Sequence, residues 1–223
     1  MGFRKAALNY ILKGIFNLIC RIDSREYVKA LSENKPLLVI VNHVNFLEVP
    51  ILAAHSYPIK LSALAKAETW KNPLFAFIFN TYNAIPIDRE GAFREPFKRV
   101  RNAIDKGFFV CIAPEGTRNK NGVLGKGKGG IIQLALDADV PILPVAHHGG
   151  EKIWENIKKI KKTNFCIKAG RPFRIKIEGR PGKKERESIL EELMGQLAVL
   201  LPKDKRGIYS DNNYNDLKFL EYI

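Results

Sequence analysis

The sequence predicts a single α/β domain in which helices pack on the faces of a central sheet. Three observations support this fold class. Short apolar runs, which are typical of buried strands, occur at residues 37–41, 108–113 and 140–146. Stretches with helical periodicity lie between these runs. The 223 residues are 46% hydrophobic, which is enough for one sizeable core and too much for a disordered chain.

The first predicted element is an amphipathic helix over residues 3–20. Its polar residues recur every four positions and form one narrow stripe, made of Lys5, Asn9, Lys13 and Asn17. The rest of the surface is mostly apolar and wider than a small core needs. Two interpretations remain open: a helix that lies in a membrane interface, or an N-terminal helix packed on the domain.

The elements that follow alternate between strands and helices. A helix over residues 49–55 tolerates Pro50 in its first turn, and a helix over residues 96–106 is followed by Gly107, a favourable C-cap. The pattern further predicts strands at 59–65, 85–87, 165–169 and 173–177, and helices at 73–81, 131–137 and 184–201. The polar tail after this last helix has scattered apolar residues, and we expect it to be loosely held.

The charge of the chain is strongly positive and unevenly placed. The formal net charge is +14. Residues 152–184 carry twelve Lys/Arg against two acids, a net of +10, and residues 1–30 carry six against two, a net of +4. Such a chain could face nucleic acid or an anionic membrane, and composition does not choose between them. Three widely spaced cysteines indicate unpaired thiols in a reducing compartment.

The first candidate for chemistry lies where the apolar run 37–41 ends. Asn42 and His43 follow this run, and the carboxylate of Glu48 comes five positions after the histidine. An imidazole with an acid nearby can take a proton off a hydroxyl. Residues i and i+5 do not share a helix face, so a turn must bring the two side chains together. The alternative is a polar loop with a satisfied histidine.

Two further segments favour anion binding. Glu115-Gly-Thr-Arg118 follows the predicted strand at 108–113, and the planar guanidinium of arginine suits phosphate oxygens. The glycine-rich loop 121–130 carries Lys126 and Lys128 at the start of a helix. Gly129 replaces the Ser/Thr of a nucleotide-binding Walker A loop, which argues against nucleotide hydrolysis. An ordinary turn and a plain flexible loop remain the alternatives for these segments.

Other kinds of site have no support in the sequence. A G-x-S-x-G motif is absent, which argues against a serine hydrolase with a nucleophile elbow. His147 and His148 are adjacent, so on a strand they would point to opposite faces and chelate one metal poorly. We therefore expect neither a metal nor a cofactor. No apolar run reaches the ~20 residues that a membrane-spanning helix needs.

Taken together and in order, these blocks resemble the glycerolipid acyltransferases, specifically the bacterial 1-acylglycerol-3-phosphate acyltransferase (PlsC-like) family. The blocks are Asn-His-x4-acid, Ile-Asp-Arg, Glu-Gly-Thr-Arg, Lys-x-Gly and Val-Pro-Ile-x-Pro-Val, and they cover roughly residues 36–146. The resemblance implies a glycerolipid-acyltransferase-like mixed α/β sheet flanked by helices, with a hydrophobic acyl tunnel. An N-terminal amphipathic helix would precede this domain.

The resemblance also implies a role for each matched residue. His43 would be the general base, and Glu48 would hold its imidazole in the working tautomer. The other implied contacts are Arg89 with the acceptor phosphate, Glu115, Gly116, Thr117 and Arg118 as the main phosphate and glycerol site, Lys128 as an added charge there, and Pro141 and Ile142 beside the acyl donor. Two residues depart from the family pattern, namely Glu48 in place of aspartate and Gly127 in place of an aromatic residue.

The implied activity is transfer of a fatty acyl group from a thioester, acyl-CoA or acyl carrier protein, to the free hydroxyl of 1-acylglycerol 3-phosphate, which gives phosphatidate. Alternatives are another lysophospholipid or glycerol 3-phosphate as acceptor, or a non-catalytic basic module that binds membrane or nucleic acid. The expected partner is an anionic membrane surface and not nucleic acid. We expect a peripheral, monotopic enzyme on the cytoplasmic face of the cell membrane, with a membrane-associating segment (1–30), the acyltransferase domain (31–202) and a polar tail (203–223).

Overall fold

The computed structural model describes residues 3–87 and 94–223, and within these ranges nine strands form one mixed sheet. The strands are β1 (Cys20–Asp23), β2 (Leu38–Val41), β3 (Leu61–Lys66), β4 (Ile85–Ile87), β5 (Phe109–Ile112), β6 (Ile142–His148), β7 (Thr163–Ala169), β8 (Phe173–Ile175) and β9 (Leu220–Tyr222). Their order is β1-β7-β6-β2-β5-β3-β4, and β8 joins β6 to β9. The strands from β6 to β4 are parallel, whereas β7 and β8 run antiparallel to β6.

Helices cover both faces of this sheet. They are α1 (Phe3–Ile19), α2 (Arg25–Glu33), α3 (Glu48–Ser56), α4 (Pro73–Thr81), α5 (Arg94–Asp105), α6 (Gly130–Ala138), α7 (Ile153–Lys158) and α8 (Lys183–Ala198). Alternate residues of β2 point into two separate cores. Leu38 and Ile40 pack with α5, α6 and α8, whereas Val39 and Val41 pack with α1, α2 and α3. Burial on both faces explains why β2 is apolar throughout.

The predicted fold class is confirmed. Helix α4 and strand β4 have the predicted bounds, and the other predicted elements differ from the observed ones by a few residues at their ends. Four elements were missed, namely β1, α2, α7 and β9. Strand β1, for example, is the four-residue segment Cys-Arg-Ile-Asp, and it is a strand because its full length pairs with β7. Residues 20–33, which fall largely in the predicted N-terminal segment, are thus part of the α/β unit.

The prediction of a loosely held tail is wrong. Tyr209, Tyr214 and Leu220 are buried in the core on the α8 side of the sheet. Strand β9 pairs with β8, and the Glu192 carboxylate accepts the backbone N–H of Phe219 at 3.0 Å. The tail is polar in composition, but three of its apolar residues, Tyr209, Tyr214 and Leu220, anchor it.

Helix α1 packs on the domain with the first half of its polar stripe turned inward, whereas Lys13 and Asn17 of that stripe are exposed. Asn9 is 2% exposed, and its Oδ1 accepts a hydrogen bond from the Tyr82 hydroxyl at 2.7 Å. Lys5 lies over the Tyr82 ring, and burial lowers the pKa of its ammonium. The helix therefore docks on the domain, as one of the two interpretations proposed. The outward surface is apolar, with exposures of 50–72% at Tyr10, Ile11, Ile15 and Leu18.

Candidate active site

The candidate site lies at the carboxyl ends of three neighbouring parallel strands. Strand β2 lies between β5 and β6, with Ile40 paired to Ile112 and Val41 paired to Val145. The loops that leave these strands therefore meet at one edge of the sheet, where ligands of open α/β sheets bind. The β2 loop carries His43, the β5 loop carries Glu115, and β6 ends in His147 and His148.

A histidine–carboxylate pair forms at the end of β2. The chain turns between Val44 and Leu47, and α3 begins at Glu48, so Nδ1 of His43 lies against Oε1 of Glu48. The Asn45 side chain supports this turn by accepting the Leu47 N–H at 2.7 Å. The turn that the i, i+5 spacing requires is therefore present.

The environment of Glu48 orients the imidazole. The side chain of Glu48 is fully buried, whereas 25% of the His43 side chain is exposed. Oε2 of Glu48 accepts the backbone N–H of Asn45 at 2.7 Å and that of Val44 at 3.2 Å. With the carboxylate held in this way, Nδ1 of His43 is the donor and its Nε2 is left with a free lone pair. This is the tautomer that a general base needs.

The side chain of Glu115 binds backbone groups of the surrounding loops and does not belong to the open site. Its carboxylate is 2% exposed and accepts the backbone N–H of His43 at 2.6 Å and that of Gly125 at 2.7 Å. Asn119 completes the link by donating its N–H to the His43 carbonyl at 2.7 Å. Burial raises the pKa of Glu115, and the two N–H donors oppose that shift. The prediction put Glu115 in the phosphate site, but its side chain is a buried link between the loop after β2 and the loop after β5.

Beside this link, the side chain of Lys128 lies against Gly116. The backbone of Gly116 has a positive φ of 64°, which favours glycine. A Cβ at this position would lie 3.3 Å from the ammonium of Lys128, so the lysine side chain crosses the glycine. Thr117, Arg118 and Lys128 are exposed. Within residues 3–87 and 94–223, Arg118 and Lys128 form no ion pair, so both cations can receive an anion.

Two predicted contacts, Pro141 and Ile142, are not brought to this site, and a third residue, Arg89, lies outside the described residues. Pro141 and Ile142 lie at the amino end of β6, where Ile142 pairs with Leu38 and is fully buried in the core. At about 3.3 Å per residue, the rest of the strand separates Ile142 from the carboxyl edge. Direct contact of Pro141 or Ile142 with a thioester at His43 is therefore not expected.

An apolar crevice starts next to Glu48 and runs between α3, β3 and α4. Its lining includes Val49, Pro50, Ala53, Ile78 and Phe79. The free volume is only about 10 Å³, at the lower limit for a single water molecule. The crevice is closed to an acyl chain unless α3 and α4 separate.

One residue of the site, His147, was not predicted from the sequence. His147 is fully buried, with Nε2 at 2.9 Å from the Asn42 carbonyl oxygen and 3.6 Å from Oε2 of Glu48. Its ring stacks on Phe165. The adjacency of His147 and His148 was considered only for metal chelation. Strand alternation was the available signal, since it sends one of the two side chains inward.

A histidine with a buried carboxylate partner, near exposed cations at the carboxyl edge of a parallel sheet, defines an α/β enzyme site. Such a site can activate a hydroxyl on an anionic substrate. The family model described as Acyltransferase matches residues 20–148, and the chain belongs to this acyltransferase family. The resemblance drawn from the ordered blocks is thereby confirmed.

Two relatives of this chain carry the same name. It is 33% identical over 120 residues to a 1-acyl-sn-glycerol-3-phosphate acyltransferase from Pseudomonas aeruginosa, covering 52% of this chain and 46% of that protein. It is 30% identical over 145 residues to an enzyme of the same name from Cocos nucifera, covering 63% and 47%. The chain thus spans about half the length of the curated relatives it matches.

The fold is shared with a solved structure. The crystal structure of the 1-acyl-sn-glycerophosphate acyltransferase PlsC from Thermotoga maritima matches with a TM-score of 0.57 at 23% identity. The match covers 86% of this chain and 80% of that one. Within the described ranges, no helix is long and apolar enough to cross a bilayer.

Proposed function

We propose that this chain transfers a fatty acyl group from a thioester to the free hydroxyl of 1-acylglycerol 3-phosphate, which produces phosphatidate. The observation that carries the proposal is the oriented pair of His43 and Glu48, whose loop is bonded through Glu115 to the loop that carries the exposed cations Arg118 and Lys128. A base and an anion site so placed suit an acceptor that carries both a hydroxyl and a phosphate. The shared name of the relatives supports the same substrate.

The reaction needs no covalent acyl-enzyme. The acceptor phosphate binds Arg118 and Lys128, and the acceptor hydroxyl lies near Nε2 of His43. As His43 removes the hydroxyl proton, the oxygen attacks the thioester carbonyl carbon. The tetrahedral intermediate then collapses, the carbon–sulfur bond breaks, and the thiolate takes the proton back from His43. General-base assistance of this kind contributes typically ~10²–10⁴-fold to the rate.

The acyl chain of the donor would occupy the crevice between α3 and α4. Its apolar lining and its start beside Glu48 support this assignment. Helix α4 is the wall better suited to move, because none of its residues is fully buried. The donor itself is proposed as acyl-CoA or acyl carrier protein.

We propose further that the enzyme binds the cytoplasmic face of an anionic membrane through two adjacent surfaces. The first is the apolar outward face of α1, defined by Tyr10, Ile11, Ile15 and Leu18. The second, here called the α7 surface, consists of the exposed Trp154, Ile157 and Ile160 with Lys158, Lys159, Lys161 and Lys162. The two are adjacent, since the Lys162 ammonium donates to the Asn17 carbonyl at 2.7 Å. Each basic residue near an anionic leaflet contributes about 1 kcal/mol to the free energy of membrane binding. Vesicle co-sedimentation measures this binding.

The activity is tested on purified protein in detergent, with an acyl thioester and a panel of acceptors. The panel contains 1-acylglycerol 3-phosphate, other lysophospholipids and glycerol 3-phosphate. We expect fastest transfer to 1-acylglycerol 3-phosphate, and a ~10²–10⁴-fold loss of turnover in His43→Ala. His148→Ala is the matched control, because His148 is partly exposed and adjacent to His147 on the strand, and so points to the opposite face. Full turnover in His43→Ala would reject the mechanism, and a different preferred acceptor would reject the substrate assignment.

A further inference from the structure

We infer that His147 is a positioning residue, whose buried Nε2–H lies beside the Glu48 carboxylate and thereby sets the pH range in which His43 can act as a base. The inference deepens the proposed function and rests on it. It answers a question that the sequence raises, namely why glutamate stands where the family usually has aspartate.

The position of the proton on His147 follows from its neighbours. Nε2 faces two acceptors, the Asn42 carbonyl oxygen at 2.9 Å and Oε2 of Glu48 at 3.6 Å. A nitrogen between two acceptors carries a proton. Among the described residues, Nδ1 has no hydrogen-bond partner. At the buried Nδ1, a lone pair without a partner costs less free energy than an N–H without an acceptor. His147 is therefore neutral, with its proton on Nε2.

Packing keeps the ring neutral and in place. The imidazole stacks on Phe165, with ring centres 5.1 Å apart, and burial lowers the pKa of His147. Two reciprocal hydrogen bonds fix the backbone, since Nδ2 of Asn42 donates to the His147 carbonyl at 3.0 Å and Oδ1 of Asn42 accepts the His147 N–H at 2.8 Å. The ends of β2 and β6 are thus bound together directly beneath the carboxylate.

The length of Glu48 matches this arrangement. One carboxylate oxygen meets His43, while the other meets the Asn45 N–H and faces His147. An aspartate is one methylene shorter and could not reach both imidazoles from the same backbone position. The pair of Glu48 and His147 therefore forms a matched set in this chain.

Removal of the Nε2–H donor has a defined electrostatic consequence. The Nε2–H is donated to the Asn42 carbonyl and lies 3.6 Å from Oε2 of Glu48, so it acts on the carboxylate as a nearby dipole. A carboxylate that loses this dipole holds its negative charge less well, so it attracts the proton on His43 more strongly. Protonated His43 would then persist to higher pH, and the active base would appear later in a titration. The other titratable groups that face this cluster are Glu115, Glu151 and the Cys111 thiol. Burial raises the pKa of Cys111, so this thiol stays neutral.

The test uses histidine ¹⁵N NMR of the full chain, without substrate, in the wild type, His147→Leu and His147→Gln. Leucine removes the donor, whereas the glutamine amide can restore an N–H near the position of Nε2. We expect wild-type His147 to stay neutral and Nε2-protonated between about pH 5 and 8. In His147→Leu the His43 signals should titrate roughly half a pH unit or more higher, and in His147→Gln they should titrate as in the wild type.

Two results would overturn the inference: a proton on Nδ1 of wild-type His147, or an unchanged His43 titration in folded His147→Leu. If His147→Leu does not fold, two measurements still test the inference. They are the tautomer of wild-type His147 and the titration of His43 in His147→Gln. In the pH profile of kcat/KM for His147→Leu, the acid limb should shift together with the His43 midpoint measured by NMR. The acceptor KM at high pH should stay constant. Because the NMR measurement needs no turnover, absence of acyl transfer by the wild type would reject the proposed function separately.

Discussion

Glu48 shows how much one side chain can decide at the residue scale. The sequence placed it five positions after His43 and could say only that a turn must intervene. In the structure that turn ends at the first residue of α3, so the carboxylate collects backbone N–H groups from Val44 and Asn45. The favourable electrostatics of a helix start add to this effect. The spacing was readable from the sequence, but the buried partners of the carboxylate were not.

Arg118 offers a second test at the residue scale. We expect Arg118→Ala to raise the KM for the phosphate-bearing acceptor by roughly 10–100-fold, since a hydrogen bond to a charged group contributes about 1.5–3 kcal/mol. The value of kcat should change less, because the base is untouched. Steady-state kinetics with varied acceptor at saturating donor measure both constants.

Lys120→Ala is the control for this experiment. Lys120 is an exposed cation two positions further along the same loop, and its loss should leave both constants near wild-type values. An effect of Arg118→Ala on the acyl-donor KM alone would show that the phosphate site lies elsewhere.

At the element scale, short segments become structured because of their partners. Strand β1 pairs residue for residue with β7, from Cys20 opposite Thr163 to Asp23 opposite Cys166. Nothing in four residues with two charges distinguishes this strand from a loop. Helix α4, by contrast, has the bounds that were predicted. Its start is marked by local chemistry, since Pro73 lies in the first turn and the Asn72 side chain accepts the Leu74 and Phe75 N–H groups. The local sequence was sufficient to predict an element only where residues in or next to that element determine its structure.

The contact between α8 and the C-terminal tail gives an element-scale prediction. A Cβ on Gly195 would lie 2.1 Å from Cδ1 of Tyr214, so Gly195→Ala forces the tail and the helix apart. We expect a loss of about 1–3 kcal/mol in the free energy of unfolding, as for other overpacked cores. Urea unfolding followed by circular dichroism measures the change.

Gly14→Ala is the matched control, because Gly14 also lies inside a helix and a Cβ there would meet nothing within 4 Å. Its replacement should stabilise the protein by up to ~1 kcal/mol through helix propensity alone. Equal effects of the two substitutions would mean that the tail does not pack on α8 in solution.

At the scale of the whole molecule, apolar and basic surfaces lie together on one part of the protein. The outward face of α1 and the α7 surface are linked through Lys162 and Asn17. Phe46 extends this apolar area toward the site, since it lies between Phe75 and Trp154, with ring centres 5.6 Å and 5.7 Å away. A bilayer at these surfaces would therefore lie close to His43, where the proposed lipid acceptor would enter.

Vesicle co-sedimentation tests this orientation. We expect stronger binding to anionic than to neutral vesicles and a decrease with added salt, because salt screens the lysine contribution. Leu18→Ser and Ile160→Ser should each weaken binding to both kinds of vesicle. Point substitutions are preferable to deletion of residues 1–20, because Phe16 and Cys20 are buried.

Ile208→Ser is the control here, since Ile208 is an isoleucine of 67% exposure in the C-terminal tail. It should bind vesicles as the wild type does. Equal binding to neutral and anionic vesicles, unaffected by the two substitutions, would refute the proposed membrane surface.

The sequence by itself determined the alternation of strands and helices, the histidine and acid after β2, the cationic loop after β5 and the family. All of these depend on residue type and short spacing, which a linear pattern contains. Only the tertiary structure decided that Glu115 links two loops, that Asn9 of α1 is buried against Tyr82 and that His147 lies beside Glu48. These contacts join residues up to 105 positions apart, and their neighbours are set by which strands pair and by which faces they bury.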